Sequence, residues 1–307
     1  MGSHSHSAPL SSVGSRPLKT VLAIVLVVMA AEVIGGILSN SLALLSDAGH
    51  MLVDALALGL SLFAITIARR PATPTKTYGY HRVEIMAALA NGTTLILVSL
   101  YIFYEAYHRF LDPPAVQTPL MLLVATIGLI ANLTGILLLR KVSRSNLNIR
   151  AAFWHIIGDT ISSVGVIVGG VIILVTGWYI ADPIIAVFIG GIILWGAVRL
   201  VSESVDILLE AAPKHIQVDK VIQTIKNVSG VDDVHDIHVW TITSGMHALS
   251  AHLRIEDQKV SQSAEIVETV SRDLARYFNI THTTLQLECG SCPTGLICDI
   301  GRRENRG

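Results

Sequence analysis

The sequence predicts an α-helical polytopic membrane protein: six transmembrane helices followed by a C-terminal cytoplasmic α+β domain. Three observations carry this. Of 307 residues, 51% are hydrophobic and only 15% charged, with a mean hydropathy of +0.59, a balance typical of chains that live largely in a bilayer. Six apolar stretches are each long enough to cross about 30 Å of hydrocarbon: Val21 to Leu38, Leu42 to Ala68, Ile85 to Tyr107, Leu120 to Leu139, Ala151 to Thr176 and Ile184 to Leu208. After Glu210 the apolar runs shorten and the charge density rises, which marks a separate small domain.

The connections divide by charge. Those after the first, third and fifth segments hold one cation, Arg109. The N-terminal tail and the remaining two loops hold Arg16, Lys19, Arg69, Arg70, Lys76, Arg82, Arg140, Lys141, Arg144 and Arg150. By the positive-inside rule both termini are therefore cytoplasmic, and cations that merely mark helix ends would not avoid every other loop. The first apolar run follows Arg16 and Lys19 and leads straight into a second, so it reads as a retained helix and not a cleaved signal. Residues 1–17, with His4 and His6, are expected to be a disordered tail, either a native metal-collecting segment or a cloning remnant. A net charge of -1 gives no bias toward nucleic acid. Gly165 and Gly169, four apart, and Gly190, Gly191 and Gly196 are read as allowing close helix packing, with sliding contacts between helices as a second reading. Asp182 with Pro183 marks the last external turn.

The domain of residues 210–289 reads as αββαβ, ahead of a tail at 290–307. Val218 to Asn227 is helix-like, while Val234 to Thr243 and His247 to Ile255 alternate like strands around a turn at Ser244 and Gly245. Ser261 to Tyr277 is an amphipathic helix with an expected serine cap and Glu265 nearby, and Thr283 to Cys289 is a last strand. This order suggests an open sheet with helices on one face.

Within the residue 18–209 membrane region, the pattern His-x-x-x-Asp occurs twice, as His50 with Asp54 and His155 with Asp159. Residues four apart share one face of a helix, so each pair offers an imidazole and a carboxylate to one point. Ionisable residues deep in a bilayer cost roughly 2.5 to 3.5 kcal/mol each on insertion scales, and four of them are hard to explain unless they serve an ion. Imidazole nitrogen with carboxylate oxygen suits a borderline divalent cation such as Zn²⁺, which takes four ligands tetrahedrally. A single such residue would instead read as a buried hydrogen-bond partner between helices.

Longer motifs now enter. The run from Ser41 to Asp54, the loop from Tyr78 to Glu84, the helix holding His155 and Asp159, and the strand from Val234 to Trp240 closely resemble the cation diffusion facilitators, in their zinc-transporting branch. The likeness runs from about Lys19 to Glu288. It implies a homodimeric antiporter, with a ferredoxin-like cytoplasmic domain, that exports cytoplasmic Zn²⁺ in exchange for protons from a bacterial inner membrane. It also implies that His50, Asp54, His155 and Asp159 are the transport ligands. Manganese-selective relatives carry Asp where this chain has His50 and His155, which favours zinc, because carboxylate in place of imidazole hardens a site. The expected partners are metal ions, protons, the lipid bilayer and a second copy of the chain. The fourth-to-fifth loop, Lys141 to Arg150, has no histidine, so no delivery role carries over to it.

Other residues keep two readings. Asp47, one turn before His50, and Glu32, in the first segment, either relay protons or hold a ligand in place, or else they are polar residues of helix packing. Asn91 and Asn132 read as interhelical hydrogen-bond partners. His81 is a transient metal contact by resemblance, or a solvated loop histidine. His235, His252, His282 and Glu288 match positions that bind metal in some family members, and would converge if the strand register allows. His238, by strand alternation, falls on the opposite face and reads as structural. Cys289 and Cys292 form a zinc half-site completed by Cys298 or the tail histidines, or are free thiols; a thioredoxin-type redox pair is disfavoured because Pro293 and Gly295 follow in place of a helix, and three cysteines in the last twenty residues are no disulfide framework. An intramembrane zinc enzyme needs an open ligand position and a base, which the two motifs do not supply. A channel is disfavoured because four closed ligands bind too tightly for conduction.

Overall fold

The computed structural model describes residues 15–139, 147–243 and 245–289. Six long helices come first: α1 (Ser15–Ser39), α2 (Leu42–Ala68), α3 (Val83–Leu111), α4 (Thr118–Leu139), α5 (Leu147–Thr176) and α6 (Ala181–Leu208). Only α2 keeps the bounds of its apolar run; the others extend past theirs, because backbone hydrogen bonds carry a helix beyond its apolar residues. Thus α3 begins with Glu84 in its first turn and ends with His108 and Arg109 in its last, charges that match the two ends of the helix dipole. Among the described residues four stretches are long and apolar enough to cross a membrane: Val83–Leu111, Thr118–Leu138, Ile156–Thr176 and Ala181–Leu208. Ala23–Ser39 and Leu42–Val53 are shorter apolar helices.

The chain divides into two compact units, Met1–Leu60 with Ala90–Arg199, and Ser61–Leu89 with Leu200–Gly307. In the first, Leu44, Val53, Leu95, Ile102, Met121, Val124, Val166 and Ile189 form a core drawn from five of the six helices. The outer faces are apolar too: Trp195 is 70% exposed and Val175 78%. Such surfaces suit hydrocarbon, where no water is displaced by burying them. At Gly169 the helices approach closely, and an added Cβ would push aside the Cδ1 methyl of Ile185 of α6. Gly190 likewise faces Ile102 and Phe103 of α3. Gly191 and Gly196 do not share that role; a side chain there would meet nothing within 4 Å among the described residues.

The ends of α2 and α6 are joined by buried charge. Asp182, wholly buried, accepts from Leu42 N at 2.7 Å, Ala43 N at 3.3 Å and Ser41 Oγ at 2.5 Å. It thereby caps the first turn of α2, whose amides have no partner within their own helix. Arg109 lies 3.7 Å from Asp182 and donates to Glu105 Oε1 at 3.0 Å, Asn40 O at 2.7 Å and Asn40 Oδ1 at 3.2 Å. The residue read as a simple external turn is thus an inter-helix cap.

The second unit holds α7 (Val218–Lys226), β1 (Asp233–Thr243), β2 (Met246–Arg254), α8 (Val260–Phe278) and β3 (Ile280–Glu288). The strands lie in the order β1-β2-β3, with β1 antiparallel and β3 parallel to β2. Val221 and Ile225 of α7 and Ile266, Val270 and Leu274 of α8 share a core with Val234, Ile237, Val239, Leu249, Ala251 and Leu253, so both helices cover one sheet face. The start of α8 differs from the expected serine cap. Lys259 is the N-cap, its amide donating to Gln262 Oε1 at 3.3 Å, and Ser261 sits inside the first turn. Within this unit the α2–α3 loop is fastened to the domain. Arg82 pairs with Glu210 at 2.8 Å, Thr243 Oγ1 donates to Glu84 Oε2 at 2.8 Å, and Tyr78 stands edge-on to His282 with ring centroids 5.6 Å apart.

Candidate metal centre

Three carboxylates meet inside the helical unit: Glu32 of α1, Asp47 of α2 and Asp159 of α5, each only 2% exposed. They lie close enough for Glu32 to feel the charge of both others and for Asp47 to feel that of Asp159. His50, half-buried, follows Asp47 by one turn of α2. The side chains of Asp54 and His155, the remaining two expected ligands, lie outside the described residues. Gly128 of α4 makes room for Glu32, since a Cβ there would stand 2.5 Å from Glu32 Oε1. Glu32 Oε2 makes no hydrogen bond to any described residue. Carboxylates buried this close together are costly unless a cation or protons neutralise them. Asn132 donates to Ser163 Oγ at 3.4 Å across α4 and α5, the interhelical role expected of it.

A second cluster lies on the open face of the sheet. His235 Nε2 is 3.1 Å from Glu288 Oε2, and His252 Nδ1 is 3.0 Å from Glu288 Oε1. One ligand atom from each of the three residues falls within 4.8 Å of the others, a spacing that can hold a metal ion. Pairing of His235 with His252 across β1 and β2 builds this face, and β3 brings Glu288 alongside.

Two expectations for this cluster fail on register. His282 does not join it: the parallel pairing sets Gln286 beside His252. His282 is four residues earlier, about 13 Å along the strand, exposed and against Tyr78. His238, expected on the opposite face, shares the face of His235. A bulge inserts one extra residue in β1 between His235 and His238 and resets the alternation, so that Val234 and Ile237 both enter the core. Asp236 at the bulge has φ +48° and links the histidines, 3.1 Å from His238 Nε2 and 3.6 Å from His252 Nε2. No apolar alternation signals a bulge; a polar residue between two histidines is the only trace Asp236 leaves in the sequence.

His81 is half-buried in the loop, packed near Gly79, and joins neither cluster. Cys289 is exposed at the end of β3. Cys292, Cys298, His4 and His6 lie outside the described residues.

Residues 18–209 match the family model described as the cation efflux transmembrane domain, and residues 213–289 the one described as the cation efflux protein cytoplasmic domain. The chain belongs to the cation efflux family. Family members of similar sequence include a cadmium, cobalt and zinc/H(+)-K(+) antiporter of Bacillus subtilis, 44% identical over 85% of this chain and 84% of that protein. The metal cation efflux system protein CzcD of Cupriavidus metallidurans is 41% identical over 94% of this chain and 90% of its own length. The zinc transporter ZitB of Pectobacterium atrosepticum is 38% identical over the same shares. Among solved structures, the metal-bound C-terminal domain of the CzcD transporter of Cupriavidus metallidurans covers 24% of this chain and 99% of its own, at 34% identity and a TM-score of 0.22. The family is one of transporters.

Proposed function

We propose that this protein is a secondary transporter that exports Zn²⁺, with Cd²⁺ or Co²⁺ as related cargo, from the cytoplasm in exchange for protons. It works as a homodimer of six-span protomers in a bacterial inner membrane, both termini cytoplasmic, and its cytoplasmic domain has a ferredoxin-like arrangement. The observation that carries this reading is the buried group of Glu32, Asp47 and Asp159 one turn from His50. Such a group needs positive charge, and either a divalent cation or protons supply it. His50, Asp54, His155 and Asp159 coordinate the ion, while Glu32 and Asp47 hold protons or steady a ligand.

Coupling follows from competition. Neutral imidazole ligates metal and imidazolium does not, and the ordinary imidazole value of about 6.5 lies near cytoplasmic pH. A site open to the acidic side is protonated and releases its ion; open to the cytoplasm, it loses protons and binds again. Alternating access then makes one flux drive the other. The test is zinc movement into proteoliposomes with and without an imposed pH gradient. Export requires uptake that rises with the gradient and collapses with a protonophore; uptake indifferent to both would exclude antiport.

Selectivity rests on the two imidazoles. His50→Asp with His155→Asp is expected to raise Mn²⁺ transport relative to Zn²⁺ by about tenfold, because oxygen-only sites favour harder cations. An unchanged ratio in a variant that still transports would put selectivity elsewhere.

The cluster of His235, His252 and Glu288 serves as a regulatory metal site, with Cys289 and Cys292 as a further candidate. An ion bound only to the folded domain stabilises it by about 2.7 kcal/mol at a hundredfold excess over Kd, which corresponds to roughly 10–20 °C for a domain of this size. The full chain in detergent should therefore melt higher in zinc than in chelator, and His252→Ala should remove the difference. Curves that coincide in the parent protein would dispose of this role.

A further inference from the structure

A second pair of histidines, used by neither cluster, meets where α6 gives way to the α+β domain. The turn closed by Ile216 N and Pro213 O carries His215, exposed, and His247 is the second residue of β2. Their rings have centroids 5.2 Å apart at 60°. They line a cavity of about 270 Å³ together with Glu203 and Asp206 of α6 and Thr241 of β1. We propose that His215 and His247 form a second divalent-metal site in this unit, suited to a borderline cation such as Zn²⁺; Asp206 lines the same cavity but does not stand at ligand spacing from both rings, so its carboxylate joins only by turning away from Lys214.

The spacing is that of two imidazoles on one tetrahedral ion. A zinc–nitrogen bond of about 2.05 Å, plus roughly 1.1 Å from nitrogen to ring centre, sets two such centroids about 5.2 Å apart at the tetrahedral angle. The same chain supplies a yardstick: His235 and His252, joined by Glu288, have centroids 5.3 Å apart. The two sites are separate. His247 and His252 are five residues apart on β2, about 16 Å, and point to opposite faces.

His247 is also prepared as a ligand. It is 5% exposed, and its Nδ1 is 3.3 Å from Thr241 Oγ1. The tautomer in which Nδ1–H donates to that hydroxyl presents the Nε2 lone pair, the usual arrangement behind a ligating histidine. Asp206 is held 3.0 Å from Lys214 Nζ in a pair largely open to water. Such a pair is weak and exchanges its cation readily. Occupancy would tie the last turns of α6 to the β1–β2 hairpin.

The test counts bound zinc in the full-length protein by equilibrium dialysis over stepped free-zinc concentrations, comparing the parent with His215→Ala, His247→Gln, and His235→Ala combined with His252→Ala. Each of the two single variants should lose one ion per chain. Joining either to the double variant should lose two. Because His215 is exposed, its removal leaves the core intact, and unchanged stoichiometry in His215→Ala overturns the site. Loss in only one of the two single variants also overturns it, since that describes a lone surface imidazole or disturbed packing at His247 and not a shared ion. The readout is binding, so its failure leaves the export reading standing, and a failed flux experiment leaves this site untouched.

Discussion

Asp159→Ala should abolish export, lowering zinc flux in proteoliposomes about a hundredfold or more while the protein still inserts. Loss of a residue that merely supports a ligand typically costs 10- to 100-fold in metal affinity, as an order of magnitude, and Asp159 is proposed to be a ligand itself. It is 2% exposed and within charge range of Glu32, so its removal takes a carboxylate from the place proposed for the ion. Asp159→Asn, close in shape and without the charge, should fail nearly as completely. If both variants transport normally, the transport site lies elsewhere in the helices.

Asp182→Ala should have the largest effect on stability. It removes the acceptor of Ser41 Oγ, Leu42 N and Ala43 N together, and strips Arg109 of a buried counter-charge. Breaking a buried pair from one side costs about 3–5 kcal/mol, and loss of a helix cap about 0.5–2 kcal/mol more. The expected reading is a melting temperature lower by roughly 10–25 °C in detergent, at about 2–4 °C per kcal/mol for a unit of this size. Asp182→Asn keeps an acceptor for the α2 amides and loses the charge, so it should fall between. A melting temperature equal to the parent's would show that the cap is dispensable.

What the sequence disclosed about this molecule depended on the range of each signal. Hydropathy averages over twenty residues, so the six helices and their order were legible, and α2 was legible to the residue. Period-two and period-3.6 patterns likewise marked all five elements of the α+β domain within a few residues. Single-residue events left no such trace. The extra residue at Asp236 reverses the side chains downstream of it, which moved His238 from one face to the other. A parallel pairing fixes which residue lies beside His252 only in three dimensions, so Gln286 stands where His282 was expected. Asp182 looked like a turn residue because its partners, Ser41 and Arg109, are far away in sequence. The cavity holding His215 and His247 is equally invisible along the chain, thirty-two positions separating two rings that lie 5.2 Å apart.

The cap on α2 also sets a schedule for making the protein. The amides of Leu42 and Ala43 take their acceptor from a residue some 140 positions later. At about 5–20 residues per second, a ribosome needs on the order of ten seconds to synthesise that stretch. Throughout that interval the first turn of α2, ahead of the helix segment that bears His50, has no Asp182 to close it. Assembly of this end is therefore a late event of biogenesis, complete only after the last membrane helix has been delivered, and a chain truncated before Asp182 would leave the ribosome with its earliest hairpin still open.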